Sequence, residues 1–291
     1  MVAARPRFFG IVKGEAVKLS RQLSIWLMLA GSLILLAVIV LGITSSDSVR
    51  RQLTLDPTGF FFNARDIFGT IFQIGSGIFI LIVGSRLFAM EYSSGTIRII
   101  YARGTGRFRF LLAKMLTMAV VGAVLLAGYL IVAGSMIAIL VDSWAGGLGP
   151  IQHLPSEFWH DLGYWALVQG MSMSIAILMA AAATAIGRSL AFAMAASLAF
   201  FPVDNFVTIL LALGARITRQ DHPWLDITRY LLGPNLNVVL GLIEPGHHAR
   251  PAFAAPLLPV DGTHALTVIG LYGLAFAVIA VMRTLRSDVL E

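Results

Sequence analysis

Six long apolar segments recur along this chain, and they constrain its fold more than any other feature. A helix that crosses a hydrocarbon core of roughly 30 Å needs about 20 residues. The mean hydropathy of the 291-residue chain is +0.85, too apolar for a water-soluble core of this length. The sequence therefore predicts an all-α integral membrane protein, one domain over 1–291 with six transmembrane helices. We place the spans near 22–43, 67–90, 114–141, 163–186, 190–213 and 264–282.

The basic residues are distributed unevenly between the two sides that these spans define. With six spans both termini lie on one side, and the segments on that side carry 14 of the 21 Lys and Arg residues. The positive-inside rule then predicts cytoplasmic N- and C-termini in a multi-pass protein of the cell membrane. Because the basic residues flank apolar segments, orientation in a lipid bilayer accounts for the net charge of +6. No nucleic acid is expected as a partner.

Several kinds of chemistry are excluded by residues that the chain lacks. It has no cysteine, so disulfides, thiolate metal sites and cysteine nucleophiles cannot occur. A phosphate-binding loop needs Gly-Lys followed by Ser or Thr, and none of Lys13, Lys18 and Lys114 follows a glycine. We expect no cofactor and no catalytic residue in this chain. We also expect no metal site, because two adjacent histidines, His247 and His248, are weak evidence for one. Energy for any transport must come from another chain or from an ion gradient.

Two segments outside the spans have apolar character of their own. Residues 7–21 place apolar side chains near helical spacing with lysines between them, which fits an N-terminal amphipathic interfacial helix, or simply a basic flank that orients the first span. Between the fifth and sixth spans, an outer loop over 214–263 is too long for a plain connector. Its part 225–243 is predicted to form a helix on or in the outer interface, and the Pro- and Ala-rich remainder to be irregular.

The segment 91–113, between the second and third spans, carries most of the functional information. Ser94 is a suitable N-cap, residues 96–102 can form about two helical turns, and Gly104 supplies a left-handed stop. Such a helix is about 10 Å long at 1.5 Å per residue. It is too short to be stable alone in water, so we expect it to dock against a partner.

This segment resembles the coupling segment of type-2 ABC exporter permeases. The similarity lies in the run Glu-Tyr-Ser-Ser-Gly-Thr-Ile-Arg from Glu91, the following Ala-Arg-Gly, and a basic entry to the third span that ends at Lys114. Many family members have a proline after this helix, where Gly104 stands here. The resemblance implies a permease that forms the substrate pathway of an ATP-driven exporter. The residues that it assigns to ATPase coupling are Glu91, Ser94, Gly95, Thr96, Arg98, Arg103 and Gly104.

The same resemblance implies the partners. A separate ABC ATPase subunit would bind ATP and Mg, and a second permease subunit, identical or different, would complete the complex. The plainer hypothesis is a tight cytoplasmic turn whose arginines only set orientation. That hypothesis explains the arginines, but it does not explain an acidic residue, Glu91, at a cytoplasmic span end.

A second candidate site lies in the fifth span, where Asp204 and Asn205 follow Pro202. An ionisable residue inside a span is costly and is usually kept for a role, so both side chains are candidates for the translocation path. The alternative is that Pro202 breaks the span and Asp204 caps the helix that restarts there.

Other function classes remain open at this stage. An ion-coupled secondary transporter would use an intramembrane acid such as Asp204. An intramembrane hydrolase would need a base beside Ser76, and no histidine lies in a span interior. We expect Gly75, Ser76 and Gly77 instead to allow close helix packing.

Overall fold

The computed structural model describes residues 7–102, 104–244, 251 and 253–286, with the side chain of Thr44 excepted. All regular structure in these residues is helical, as the sequence predicts. The helices are α1 Phe8–Ser20, α2 Leu23–Thr44, α3 Asp47–Leu55, α4 Pro57–Ser93, α5 Ile97–Ala102, α6 Arg107–Ala145, α7 Gly149–Gln152, α8 Ser156–Gly187, α9 Leu190–Thr218, α10 Trp224–Thr228, α11 Leu232–Ile243 and α12 Gly262–Arg286.

Six of these helices, α2, α4, α6, α8, α9 and α12, are long and apolar enough to cross a membrane. The prediction of six spans is thereby confirmed. Local sequence signals set several of their ends: Asp56 accepts a hydrogen bond from the Gly59 N–H at the start of α4, and Ser189 does the same for Phe192 at the start of α9. Gly146, in the left-handed conformation, ends α6.

Helix α8 forms the centre of the bundle and packs mainly against α4 and α12. Its C-terminal half is rich in buried alanine, including Ala176, Ala180 and Ala181. A Cβ atom at Gly84 of α4 would lie 3.2 Å from the Cβ of Ala180. Small residues therefore bring these two helices close together, which is how membrane helices pack without a hydrophobic driving force. Helix α2 lies at the periphery with most of its surface exposed.

The fifth span does not break at Pro202, which corrects the alternative in which a helix restarts there. Helix α9 runs without interruption from Leu190 to Thr218. Proline removes a single backbone donor. In lipid, a broken helix would leave several more backbone groups unpaired, so one lost hydrogen bond is the smaller cost.

The predicted helix over 225–243 is two helices, α10 and α11, separated by residues 229–231. Helix α11 packs against α8, α9 and α12, and its N-terminal half is buried inside the bundle. Pro234 fits the start of α11, because proline lacks a backbone N–H and the first turn of a helix does not use one. Residues 244, 251 and 253–261 are not helical, while 245–250 and 252 lie outside the described residues.

Candidate functional site

The segment between α4 and α6 folds as a two-turn helix between two glycines in the left-handed conformation. Helix α5 covers Ile97–Ala102, preceded by Gly95 with φ of 68° and followed by Gly104 with φ of 81°. Both angles lie in the region that glycine enters without strain. The expected helix and its glycine stop are therefore present, and a second left-handed glycine precedes α5.

Ser94 has a different role from the predicted one. It ends α4 instead of capping α5: its Oγ donates to the Met90 carbonyl over 2.8 Å and lies 2.9 Å from the Thr96 Oγ1. Thr96 directly precedes α5, and its carbonyl accepts the first hydrogen bond of that helix from the Ile100 N–H over 3.1 Å. The Ser94 N-cap prediction is wrong because α4 continues to Ser93, further than its apolar pattern indicates.

Helix α5 anchors one side chain and exposes others. Ile97 is buried, whereas Arg98 is exposed and Ile99 is 54% exposed. The exposed isoleucine and arginine form a small surface of mixed apolar and cationic character at this end of the molecule. Arg103, also among the predicted coupling residues, lies outside the described residues.

Glu91 is buried, which sequence reasoning did not predict. It is 4% exposed and lies in a cluster of four charged side chains from α1, α4 and α6: Glu15, Lys18, Glu91 and Lys114. Its Oε1 accepts a hydrogen bond from Lys18 Nζ over 3.0 Å, and its Oε2 pairs with Lys114 Nζ. We call this group the charge cluster. Within the described residues the ion-pair partners of Glu91 are therefore two lysines and not the neighbouring arginines.

The charge cluster contains two carboxylates and two amines, so its formal charges cancel. Lys18 Nζ also lies 2.6 Å from Glu15 Oε1, and Lys114, which is 2% exposed, donates to the Leu87 carbonyl. Burial alone would lower the pKa of Lys18, but hydrogen bonds to Glu15 and Glu91 outweigh it and raise the pKa above its usual value. The charge cluster therefore joins α1 to the C-terminal end of α4 and to the N-terminal part of α6. These are the two helices between which α5 lies in the sequence.

Two further contacts join the same region to other helices. Ser93 Oγ accepts from the Leu190 N–H at the start of α9 over 3.3 Å. Arg107 donates to the Leu285 carbonyl near the end of α12 over 2.9 Å, and its guanidinium lies 5.6 Å from the centre of the Tyr101 ring. These contacts give Arg107 a structural role beside any part in setting orientation. Tyr101 therefore links α5 to the start of α6, and Arg107 links α6 to the end of α12.

Gly95 is not needed for close packing within the protein. A Cβ atom at Gly95 would meet no atom within 4 Å in the described chain. The positive φ is the reason for glycine at this position.

Asp204 and Asn205 lie together and contact α11. Asp204 is buried, and its Oδ2 accepts a hydrogen bond from the Gly233 N–H in the first turn of α11. It thus caps a helix, as the alternative hypothesis held, but that helix is α11 and not a restarted fifth span. A carboxylate at a helix N-terminus also interacts favourably with the helix dipole. Asn205 Oδ1 accepts from Asn237 Nδ2 over 2.9 Å, and Asn205 lines a cavity of about 490 Å³ between α4, α8, α9 and α11.

An ion pair between Arg65 and Glu244 holds the other end of α11, and sequence reasoning missed it. Arg65 of α4 pairs with Glu244, which directly follows α11, and with Asp66 over 2.8 Å. Arg65 and Glu244 are 5% and 2% exposed. Arg65 and Glu244 are 179 positions apart along the chain. The adjacent Arg65 and Asp66, directly before the second predicted span, were the sequence feature that could have indicated an ion pair here.

Comparison with known proteins identifies the family. Residues 11–204 match the model of a family described as ABC-2 family transporter protein. A search of curated proteins finds no match to this chain. The matched stretch includes most of α1, the charge cluster, α5 and the first half of α9. Because the match covers about two thirds of the chain and agrees with its six candidate membrane spans, the chain belongs to the ABC-2 family of membrane transporter permeases.

Proposed function

We propose that the chain is the permease subunit of an ATP-driven exporter, and that α5 couples it to a separate ATPase subunit. The observation that supports the proposal is the arrangement of side chains and helices around α5. A two-turn helix with an exposed Arg98 and Ile99 projects from two long spans, and the charge cluster fixes its base. A short exposed helix on a rigid base suits the transmission of force from a docked partner.

Each coupling residue has a distinct role in this proposal. Arg98 and Ile99 contact the ATPase subunit directly, because they are the exposed residues of α5 with large side chains. Gly95, Thr96 and Gly104 set the direction of the helix. Ser94 ends α4, and Glu91 acts from inside the protein as a positioning residue. ATP and Mg would be bound by the partner, and a second permease subunit would complete the substrate path.

The substrate path in this proposal includes the cavity that Asn205 lines. Asp204 contributes indirectly, because it fixes the start of α11, and α11 forms one wall of that cavity. An ion-coupled mechanism would instead require Asp204 to exchange a proton during transport, so Asp204→Asn would then abolish export.

Transport measurements in inverted membrane vesicles test the proposal. Accumulation of substrate should require ATP, and it should persist when ionophores collapse the ion gradients. Gly95→Leu should reach normal membrane levels but lose most ATP-driven accumulation. Glu91→Ala should lose it as well, at a lower protein level, because it leaves Lys114 buried without its acid. The control is Arg109→Gln, which changes an exposed arginine on α6 near α5 and should transport normally. Accumulation that follows an ion gradient without ATP would contradict the proposal.

A further inference from the structure

A cavity of about 490 Å³ opens between α4, α8, α9 and α11, and its lining has a distinctive chemistry. Most of the wall is apolar, and the polar side chains in it are Gln73, Ser172, Asn205 and Asn237. No Asp, Glu, Lys, Arg or His is among the described residues that line it. A charged ligand would lose its hydration here without gaining an opposite charge, so the cavity favours an uncharged one.

Glycine keeps part of this cavity open. Gly75 and Gly77 were expected to allow close helix packing, but a Cβ atom at either position would meet no atom within 4 Å in the described chain. Gly77 lines the cavity, so any side chain there would project into free space and reduce the volume. This gives a direct way to fill the cavity without a steric clash in the surrounding helices.

A small polar pocket adjoins the cavity at one end. Its volume is about 30 Å³, and it shares Gln73, Leu236 and Asn237 with the larger cavity. Gln169 of α8 also lines it, is only 2% exposed, and has an Oε1 atom with no hydrogen-bond partner in the described residues. Asp66 lies at the same pocket, where it forms an ion pair with Arg65.

An unpaired buried polar atom is costly, and a ligand that supplies its partner gains affinity. The pocket has room for a group about the size of one water molecule. A carboxamide such as that of Gln169 offers both a donor and an acceptor, so the matching ligand group is one that also does both. A hydroxyl or an amide with a free N–H meets this requirement, whereas an ester, a dimethylamide or a carboxylate does not.

We propose that this cavity and pocket together bind a neutral, mainly apolar compound that carries a hydroxyl or an N–H amide group. The apolar body lies against α4, α8, α9 and α11, and the polar group is bound at Gln73, Gln169 and Asn237. This rests on the proposed function, since it takes the cavity as part of the export path. The transported class is then neutral amphiphiles and excludes organic anions.

Cysteine protection tests the site, because the chain has no native cysteine. Ser172→Cys places a thiol on the cavity wall, and the measurement is its rate of alkylation by N-ethylmaleimide in the purified permease. The probes are 4-(1-pyrenyl)butanamide, its N,N-dimethyl derivative and 4-(1-pyrenyl)butanoate. Ser135→Cys, on an exposed part of α6, reports non-specific partition of the probes and should not be protected.

The primary amide should protect the thiol introduced by Ser172→Cys at concentrations about three- to tenfold lower than the dimethylamide, as expected for one hydrogen bond. The butanoate should protect more weakly than either. Gln169→Leu should remove the preference for the primary amide, and Gly77→Leu should remove protection by all three probes. Thr208→Val deletes another buried hydroxyl without a hydrogen-bond partner in the described residues, outside this lining, and should change nothing.

Equal protection by the three probes, or a preference that survives Gln169→Leu, would overturn the assignment. Protection in Gly77→Leu equal to that in the parent would place the probes elsewhere and overturn it as well. The measurement uses the permease without an ATPase. A negative result here with ATP-driven export intact therefore rejects only the ligand class, and the expected protection pattern without ATP-driven export rejects only the coupling mechanism.

Discussion

Four charged side chains meet at the base of α5, and their balance explains why Glu91 is tolerated in a buried position. Glu91 contacts Lys18 and Lys114, while Lys18 also contacts Glu15. Removing one member of a buried ion pair leaves an uncompensated charge, which costs more than the pair contributes. The cluster should therefore respond to the sum of its charges as well as to the identity of each residue.

This gives a prediction for Lys114. Lys114→Met leaves two carboxylates against one amine and should lower the free energy of unfolding by about 3–5 kcal/mol. Adding Glu91→Gln restores one acid and one base, Glu15 and Lys18, and should recover most of that loss. Denaturant titration of the purified protein in mixed micelles measures both values. A double variant no more stable than Lys114→Met would show that charge balance is not what holds the cluster.

Asp204 gives a second prediction. Asp204→Asn keeps an oxygen that can accept the Gly233 N–H, so stability and export should stay close to those of the parent. Asp204→Leu leaves that N–H unpaired and should lower the free energy of unfolding by about 1–3 kcal/mol. Loss of export in Asp204→Asn, with normal stability, would instead show that the charge itself acts in transport.

The sequence identified Glu91 as unusual, but not its partners. An acid at a span end stands out from the orienting pattern, so one residue could be recognised from local information. Its contact with Lys18 joins residues 73 positions apart, and Arg65 and Glu244 are 179 apart. No local pattern encodes such distances, because they depend on how the helices pack.

At the scale of elements, α5 shows how a few local signals define a functional helix. Gly95 and Gly104 both have positive φ, and the helix between them is two turns long. Its existence and its glycine stop were predictable, since left-handed glycines end helices by a local mechanism. The continuation of α4 to Ser93 was not, because polar residues at the end of a span carry no apolar pattern.

Gly95 gives the third prediction. Asn enters the left-handed region more readily than other residues with a side chain, so Gly95→Asn should retain ATP-driven export. Gly95→Leu should lose most of it, because the left-handed conformation costs a residue with a Cβ atom about 1–2 kcal/mol and α5 would change direction. Vesicle transport normalised to the amount of protein measures the difference. Equal export by the two variants would exclude backbone conformation as the role of Gly95.

Helix α11 was only partly predictable, for a related reason. Its apolar composition indicated a helix near a membrane interface, and a helix is present. Its position inside the bundle depends on contacts at both ends, with Asp204 at the N-terminus and Arg65 bonded to Glu244 after the C-terminus. Hydropathy indicates that a helix is apolar, but it does not indicate which helices pack against it.

At the scale of the whole molecule, α1, α5, the α8–α9 turn and the end of α12 lie at one end of the bundle. Helices α3, α10 and α11 lie toward the other. The six spans were readable from hydropathy because each is longer than a bilayer requires. The positive-inside rule predicts that the α5 end faces the cytoplasm.

Single cysteines test that orientation in intact cells. Ser94→Cys, beside α5, should resist an impermeant thiol reagent, whereas Ser46→Cys and Ser156→Cys, at the opposite end, should be labelled. Serine is replaced in each case, so the change is small and matched across positions. Labelling at position 94 from outside the cell would reverse the orientation and remove the basis for a cytoplasmic coupling helix.

The central claim is that the exposed face of α5 contacts an ATPase subunit, and site-specific photocrosslinking from position 99 tests it most directly. A photoreactive amino acid at Ile99, which is 54% exposed, should capture in cells a protein with a phosphate-binding loop, identified by mass spectrometry. The same group at Leu55, exposed on α3 at the opposite end, should not capture it. Capture of that ATPase from both positions, or from neither, would contradict the proposed coupling role of α5.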